Sequence, residues 1–401
     1  VMNPPRAPVT RAYSPVAVAR IGVQYRASAP TEKRQTTLRV TLTGGTGFLG
    51  LRLIRELVNR NCSVTLLSRR GSTSSIDRIS HGLQLLSETT DFIHKFRRLA
   101  DETEIEIEQP LFGLPDDALE KLVRRTDMFF HSAGNIDLNT GARSIRPVNV
   151  DGTRNFLDIA SRSPYGAPFC HVSTAFVAGS RRSGRVYEAD LNDTHGFENE
   201  YERSKCDAEA LVHRWARDNG MPALIMRPSI LLTDRSPVSG LPAHPFQTIS
   251  GLLRASTIER GIAGLSIPRG LRPVIHMVGR PDARLNCLPV EDAASAIVRI
   301  AAEHGTTDVA THHIVHPENV SAETLIELFE KFAPIRIKLA SALPERLSPA
   351  EQRFHSYAGF SAYFRHTRVY DDRNTRRVLG SACSQTPVDM AYLLSGTYAI
   401  R

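Results

Sequence analysis

The sequence predicts an α/β protein, a Rossmann-type doubly wound parallel sheet with a smaller C-terminal substrate-binding lobe. Three observations carry this expectation. Short β-rich runs alternate with helical repeats through the first 230 residues, the pattern of parallel strands joined by helical crossovers. The first of those runs leads directly into three spaced glycines and then a helix. A chain of 401 residues with 41% hydrophobic content also buries more core than one ordinary domain requires.

Residues 1–36 carry a net charge of +5, are rich in Pro, Ala and Ser, and show no period. They read as a flexible arm or linker, and an Arg-rich, acid-poor start also fits an organelle transit peptide. Of the total of +8, only +3 remains for the rest of the chain, too little for a nucleic-acid groove. The first strand is expected over Leu38–Thr43, followed by Gly44-Gly45-Thr46-Gly47-Phe48-Leu49-Gly50 and a helix through Leu51, Leu53, Ile54, Leu57 and Val58. A second strand follows at Ser63–Ser68, and Arg69–Glu102 is a long polar, helical excursion. Further strands are expected at Glu104–Ile107, Met128–Ser132, Phe169–Thr174 and Ala223–Met226. Together these are expected to make residues 37–235 a Rossmann domain.

Residues 236–401 then form the substrate lobe, with returning Rossmann elements near 286–320. Pro and Gly recur from Ser236 to Asn286, where a lid would sit. Thr311–His316 reads as a late strand, Ala322–Phe332 as a helix, and the chain beyond Pro344 as helix and loop. No run reaches the roughly 18 apolar residues of a membrane helix. Five scattered cysteines without a C-x-x-C pair argue against a disulfide framework or structural zinc and for a reducing, cytoplasmic setting. His312, His313 and His316 fall in a strand with no acidic partner motif, so no metal is expected.

The chemistry begins at the glycines. Strand, Gly44-x-x-Gly47-x-x-Gly50 and helix give a tight turn, close backbone approach to a pyrophosphate, and close packing of helix on strand. The N–H groups and positive end of that helix face the phosphates. After the second strand the chain reads Leu67-Ser68-Arg69-Arg70, without the carboxylate that binds a ribose 2′-hydroxyl in NAD sites. Two guanidiniums suit a 2′-phosphate, so NADPH is the expected cofactor. Tyr201 and Lys205 lie four apart on one helix face. An ammonium held one turn away would lower the phenol's pKa from near 10. Ser173 and Thr174 end a strand where a hydroxyl reaches the carboxyl edge of the sheet.

In this order the motifs resemble those of the extended short-chain dehydrogenase/reductases. The resemblance spans about residues 38–330: the glycine turn, His131-Ser132-Ala133-Gly134, Asn149-Val150-Asp151-Gly152-Thr153, Ser173-Thr174 and Tyr201-x-x-x-Lys205. It is strongest toward the thioester-reductase branch: terminal reductase domains of nonribosomal peptide and polyketide synthases, carboxylic acid reductases and fatty acyl-CoA reductases. The long excursion after Arg69, Pro110-Leu111-Phe112-Gly113-Leu114, Asn199-Glu200-Tyr201, Ala208-Glu209, Arg227-Pro228-Ser229-Ile230 and Leu288-Pro289-Val290-Glu291-Asp292 carry that closer likeness.

The resemblance implies Thr174 as the catalytic hydroxyl, Tyr201 as proton donor, Lys205 as ribose contact and tuner of Tyr201, and Asn149 in support. It implies cofactor contacts at Gly44, Thr46, Gly47, Phe48, Leu49, Gly50, Arg69, Arg70, Glu106, Ile107, Ser132, Ala133, Gly134, Tyr201, Lys205, Pro228 and Ile230. Two positions depart from the branch: Glu106-Ile107 stands where Asp and an apolar residue are usual, and Gly134 where Ala is common. The implied substrate is an acyl thioester on an acyl or peptidyl carrier protein or coenzyme A, reduced to an aldehyde and in some members to the alcohol. Arg254, Arg260, Arg269, Arg272, Arg280 and Arg284 are candidates for a phosphopantetheine phosphate or an acidic carrier surface. Two other readings compete: an extended reductase or epimerase acting on a free small carbonyl or nucleotide sugar, and a cofactor-binding regulatory protein without turnover.

Overall fold

The computed structural model describes residues 37–397 except 72, 139–140, 260–267, 304, 306–307 and 358. The expected arm at 1–36 and part of the expected lid, Arg260 included, lie outside the described residues. Seven parallel strands form the central sheet: β1 (Arg39–Thr43), β2 (Ser63–Arg69), β3 (Ala100–Ile105), β4 (Met128–His131), β5 (Phe169–Val172), β6 (Ala223–Pro228) and β7 (Val309–Ile314). Their spatial order is β7-β6-β5-β4-β1-β2-β3. The order reverses between β1 and β4, so the crevice that binds ligands in open α/β sheets opens at the carboxyl ends of those two strands.

Both faces of the sheet are covered, as an all-parallel sheet requires. On one face α1 (Phe48–Asn59), α2 (Ser75–Leu85) and α3 (Thr90–Leu99) pack with Val40, Leu42, Val64 and Leu66. The other face buries α4 (Asp116–Arg124) and α6 (Gly152–Ala160) around Phe129, Phe156 and Phe169. A short α5 (Ala142–Arg146) enters α6 through a π turn, Pro147–Asp151. The second face also takes α7 (Glu200–Asn219), which packs Val212 and Trp215 there. Asn199 caps α7 by accepting from the Glu202 N–H, and Gly220 ends it in the left-handed region.

A separate apolar core gathers the later chain. It joins α8 (Pro245–Glu259), α10 (Ala322–Phe332), α11 (Pro349–Tyr357) and a 3₁₀ turn at Gly359–Arg365 to short paired strands, with α9 (Val290–Ala302) lying between α8 and α10 in the chain. Phe246, Phe329, Phe360 and Phe364 are its buried aromatics, while α9 itself returns to the sheet.

Several boundaries differ from expectation. Strand β3 starts at Ala100 rather than Glu104, because an edge strand with one neighbour tolerates the polar run Asp101-Glu102-Thr103-Glu104. Glu106 and Ile107 therefore lie just past its end. Strand β5 stops at Val172 rather than Thr174, since Thr174 caps the following 3₁₀ turn. The late strand runs Val309–Ile314 rather than 311–316. The excursion after Arg69 resolves into α2, α3 and β3, while the helix Ala322–Phe332 falls where its pattern put it.

Candidate active site

The β1–α1 turn is shaped for close backbone approach. Gly44 has φ +77°, and a Cβ there would lie 2.5 Å from the Ala133 nitrogen. A Cβ on Gly50 would fall 2.0 Å from the Gly44 carbonyl oxygen. The turn thus seats directly against the loop after β4, which Thr43 fixes by accepting from the Ala133 N–H at 3.3 Å. Helix α1 starts without a side-chain cap or an acidic residue in its first turn. Its first N–H groups and positive end are left for an anion, so the residues present fit a dinucleotide pyrophosphate.

At the end of β2, Arg69 is exposed and has no partner among the described residues. Arg70 instead donates to Glu104 at 3.2 Å on the surface. No carboxylate occupies the end of β2. Ile107 is buried against Gly152, its carbonyl accepting from Asn155 at 3.0 Å, whereas Glu106 is exposed.

A cavity of about 280 Å³ opens over the switch point. It brings together Gly44, Gly47, Phe48, Leu49, Gly50, Ser132, Gly134, Thr174, Tyr201, Lys205, Pro228 and Ile230. Thr46, Arg69, Arg70, Glu106, Ile107, Ala133 and Asn149 do not line it. Lys205 is the one charged side chain on its described wall. Residues that sequence reasoning did not single out complete it, among them Ile136, Leu138, Phe176, His244, Phe246, Leu285, Phe360 and Tyr363. Their only local signal was the aromatic cluster Phe360, Tyr363, Phe364.

The two adjacent hydroxyls after β5 separate cleanly. Ser173 donates to Glu209 at 2.6 Å, whereas Thr174 faces the Tyr201 phenol. Glu209 is fully buried against Arg227, with Nη2 to Oε1 at 2.5 Å. Burial opposes its charge, but Arg227 and its hydrogen bonds prevail and hold the carboxyl at about 2. The Ala208-Glu209 and Arg227-Pro228 motifs therefore form an ion pair that locks α7 to β6.

Asn149, 1% exposed, accepts from the Asn135 N–H at 2.7 Å. It donates to the Asn135 carbonyl at 3.0 Å and to Ser204 Oγ at 2.9 Å. It thereby ties the loop after β4 to the helix carrying Tyr201 without reaching the cavity.

Lys205 behaves differently from expectation. Its Nζ donates to the Val172 carbonyl at 2.5 Å, and burial lowers its pKa to about 8. The expected lowering of Tyr201 is absent: burial pushes the phenol up to about 12, opposed by the Thr174 hydrogen bond. With its ammonium neighbour turned toward a carbonyl, the phenol stays neutral and keeps its proton at ordinary pH. Elsewhere, both ring nitrogens of His316 face main-chain carbonyls, of Glu318 and Thr386. His313 Nδ1 faces the Asp371 carbonyl, and the described cysteines are free thiols. Of the lobe arginines, Arg280 pairs with Asp282 at 2.6 Å and Arg272 lines a surface groove with Glu323, Glu327 and Glu330. The side chains of Arg254, Arg260 and Arg269 lie outside the description.

Comparison with known proteins adds four findings. The NAD_binding_4 family, described as male sterility protein, matches residues 42–297. An aldehyde reductase, lnaA, of Aspergillus flavus is 26% identical over 87% of this chain and 34% of its own length. The nonribosomal peptide synthetase asaC of the same organism is 25% identical over 75% of this chain and 28% of its own. The chain thus spans about a third of these curated relatives. Among solved structures, the terminal R domain from the myxalamid PKS-NRPS biosynthetic pathway superposes with a TM-score of 0.68 at 25% identity, covering 90% of this chain and 89% of that one. No helix among the described residues is long and apolar enough to cross a membrane.

Proposed function

The chain belongs to the NAD_binding_4 family of male sterility proteins, and we propose that it is an NADPH-dependent reductase of acyl thioesters carried on a carrier protein or coenzyme A. The observation that carries the reading is the convergence of Thr174 and Tyr201 on the same cavity as the glycine cradle. The likeness to a terminal reductase domain of a PKS-NRPS pathway supports a carrier-bound substrate. A wall whose one charged side chain is Lys205 suits an uncharged acyl group better than a sugar diphosphate, whose charges would be left without partners.

Bound in the cradle, NADPH supplies the hydride. Gly44, Gly47 and the first turn of α1 hold its pyrophosphate, and Arg69, exposed and unpaired, takes the 2′-phosphate. Lys205 offers its remaining N–H donors to a ribose hydroxyl. Thr174 and Tyr201 donate to the thioester carbonyl oxygen, where negative charge develops. Tyr201, neutral at ordinary pH and held more firmly so by burial, passes its proton to that oxygen. Collapse of the hemithioacetal returns the carbonyl and expels the thiol. The balance is thioester, NADPH and one proton in, and aldehyde, thiol and NADP⁺ out. A second reduction would give the alcohol.

The test is NADPH oxidation with a panel of acyl-coenzyme A and acyl-carrier thioesters beside free aldehydes, ketones and nucleotide sugars. Oxidation with thioesters is expected. Turnover of free carbonyls or nucleotide sugars alone would replace this reading with the competing one.

A further inference from the structure

The turn that opens α7 is held from a distant part of the chain. Glu198 sits just before the Asn199 cap, and its carboxylate meets Arg365 Nη2 at 2.5 Å and His366 Nε2 at 3.2 Å. Asn199 uses both ends of its amide. Its Oδ1 accepts from the Glu202 N–H at 3.0 Å, and its Nδ2 donates to the Tyr363 hydroxyl at 3.1 Å. Glu202 closes the turn by accepting from the Glu198 N–H at 2.9 Å. Tyr201 lies in the middle of this short stretch.

Tyr363 also holds the other candidate donor. Its ring packs on Phe176 with centroids 4.6 Å apart, and the Phe176 N–H donates to Thr174 Oγ1 at 3.3 Å. One buried side chain from the 3₁₀ turn Gly359–Arg365 therefore touches the segments that carry both hydroxyls. It also lines the cavity.

We propose that Tyr363 is a positioning residue: its hydroxyl, through Asn199, sets the place of Tyr201, while its ring braces the Thr174 turn. Small displacements of a reacting group are costly, up to about a hundredfold for about 1 Å. The inference rests on the thioester-reductase reading for its substrate, but not for its geometry.

Glu202 gives the arrangement a second signature. It is fully buried, and burial raises its carboxyl to about 7. The charged and titratable groups facing it are Glu198 and Tyr201 from its own turn, and Tyr363, Arg368 and Tyr370 from the later chain. The Tyr363 hydroxyl nearby favours its carboxylate. Removing that donor moves the ionisation of Glu202 to higher pH.

The test is Tyr363→Phe, which keeps the ring on Phe176 and removes the hydroxyl. A fall in kcat of about tenfold is expected, with KM and the directly titrated Kd for NADPH within about twofold, because the cradle is untouched. The limb of the kcat–pH profile near neutrality should shift upward in Tyr363→Phe and vanish in Glu202→Gln. Asn199→Asp keeps the helix cap but cannot donate to Tyr363, so combining it with Tyr363→Phe should add little further loss. Wild-type kcat with an unshifted profile in Tyr363→Phe, or kcat, Kd and Tm falling together, would overturn the positioning role. A wild-type protein that turns over free carbonyls but no thioester would sink the substrate reading instead, and the same kcat and pH comparison would then be made on the carbonyl.

Discussion

The glycine cradle and the wall opposite it face one cavity but reach it by different routes. The cradle is Gly44–Gly50, consecutive residues whose contribution is backbone: an open turn, free N–H groups and the end of a helix. The opposite wall is Phe176, Phe246, Leu285, Phe360 and Tyr363, side chains separated by nearly the length of the later chain. A site made of backbone needs a local pattern, because only glycine allows the approach. A site made of side chains needs a second core, with long-range contacts deciding what faces inward. The Thr174–Tyr201 pair lies where the two meet.

Substitutions separate the two contributions, and the largest effect is expected at the junction. Tyr201→Phe removes the proposed proton donor and should lower kcat by about 10²–10⁴, while NADPH titration shows binding within a few-fold of wild type. Near-normal turnover would move the chemistry off Tyr201.

Breaking the pair that locks α7 to β6 acts on stability instead. Glu209→Gln leaves Arg227 buried without its countercharge and should cost about 3–5 kcal/mol by denaturant unfolding. The pH sign follows from a folded pKa held below the unfolded one, at about 2 against about 4.3. Below both values Glu209 contributes nothing, and above both its contribution is complete. Wild-type stability therefore falls as pH drops from about 5 toward 2, and Glu209→Gln should lose that part of the acid limb. An unchanged limb would place its cause elsewhere.

In the cradle, Gly50→Ala drives a Cβ into the Gly44 carbonyl. It should cost about 3 kcal/mol and weaken NADPH binding, read by unfolding and by titration. Normal affinity would show that the turn can open without consequence. The smallest effect is expected at the edge of the groove. Arg69→Ala should lose roughly tenfold to a hundredfold in NADPH over NADH preference, the worth of a charge-assisted contact of about 1.5–3 kcal/mol. Arg70→Ala, already paired with Glu104 on the surface, should change it by less than about threefold. Equal losses at both positions would mean a general field rather than a specific contact.

The same contrast explains what the sequence made legible. The glycine turn, the strands around it and the Tyr201–Lys205 spacing all depend on neighbours within a few residues, whereas the preference for Thr174 over Ser173 comes from the family resemblance. The start of β3 was missed because an edge strand escapes the alternation that marks inner strands. Lys205 kept its helix face, but its partner, the Val172 carbonyl, comes from another element, and burial reversed the expected shift of Tyr201. The aromatic cluster around Tyr363 does not say what it touches, since its contacts with Asn199 and Phe176 cross more than 160 residues.

A single-turnover experiment decides whether thiol release is coupled to hydride transfer. Enzyme loaded with one equivalent of NADPH is mixed with an acyl thioester, and free thiol and remaining NADPH are followed together. One thiol should be liberated for the first NADPH consumed, with both events lost in Tyr201→Phe. Consumption of NADPH by free aldehydes or ketones, with no thiol from either carrier-bound or coenzyme A substrates, would contradict it.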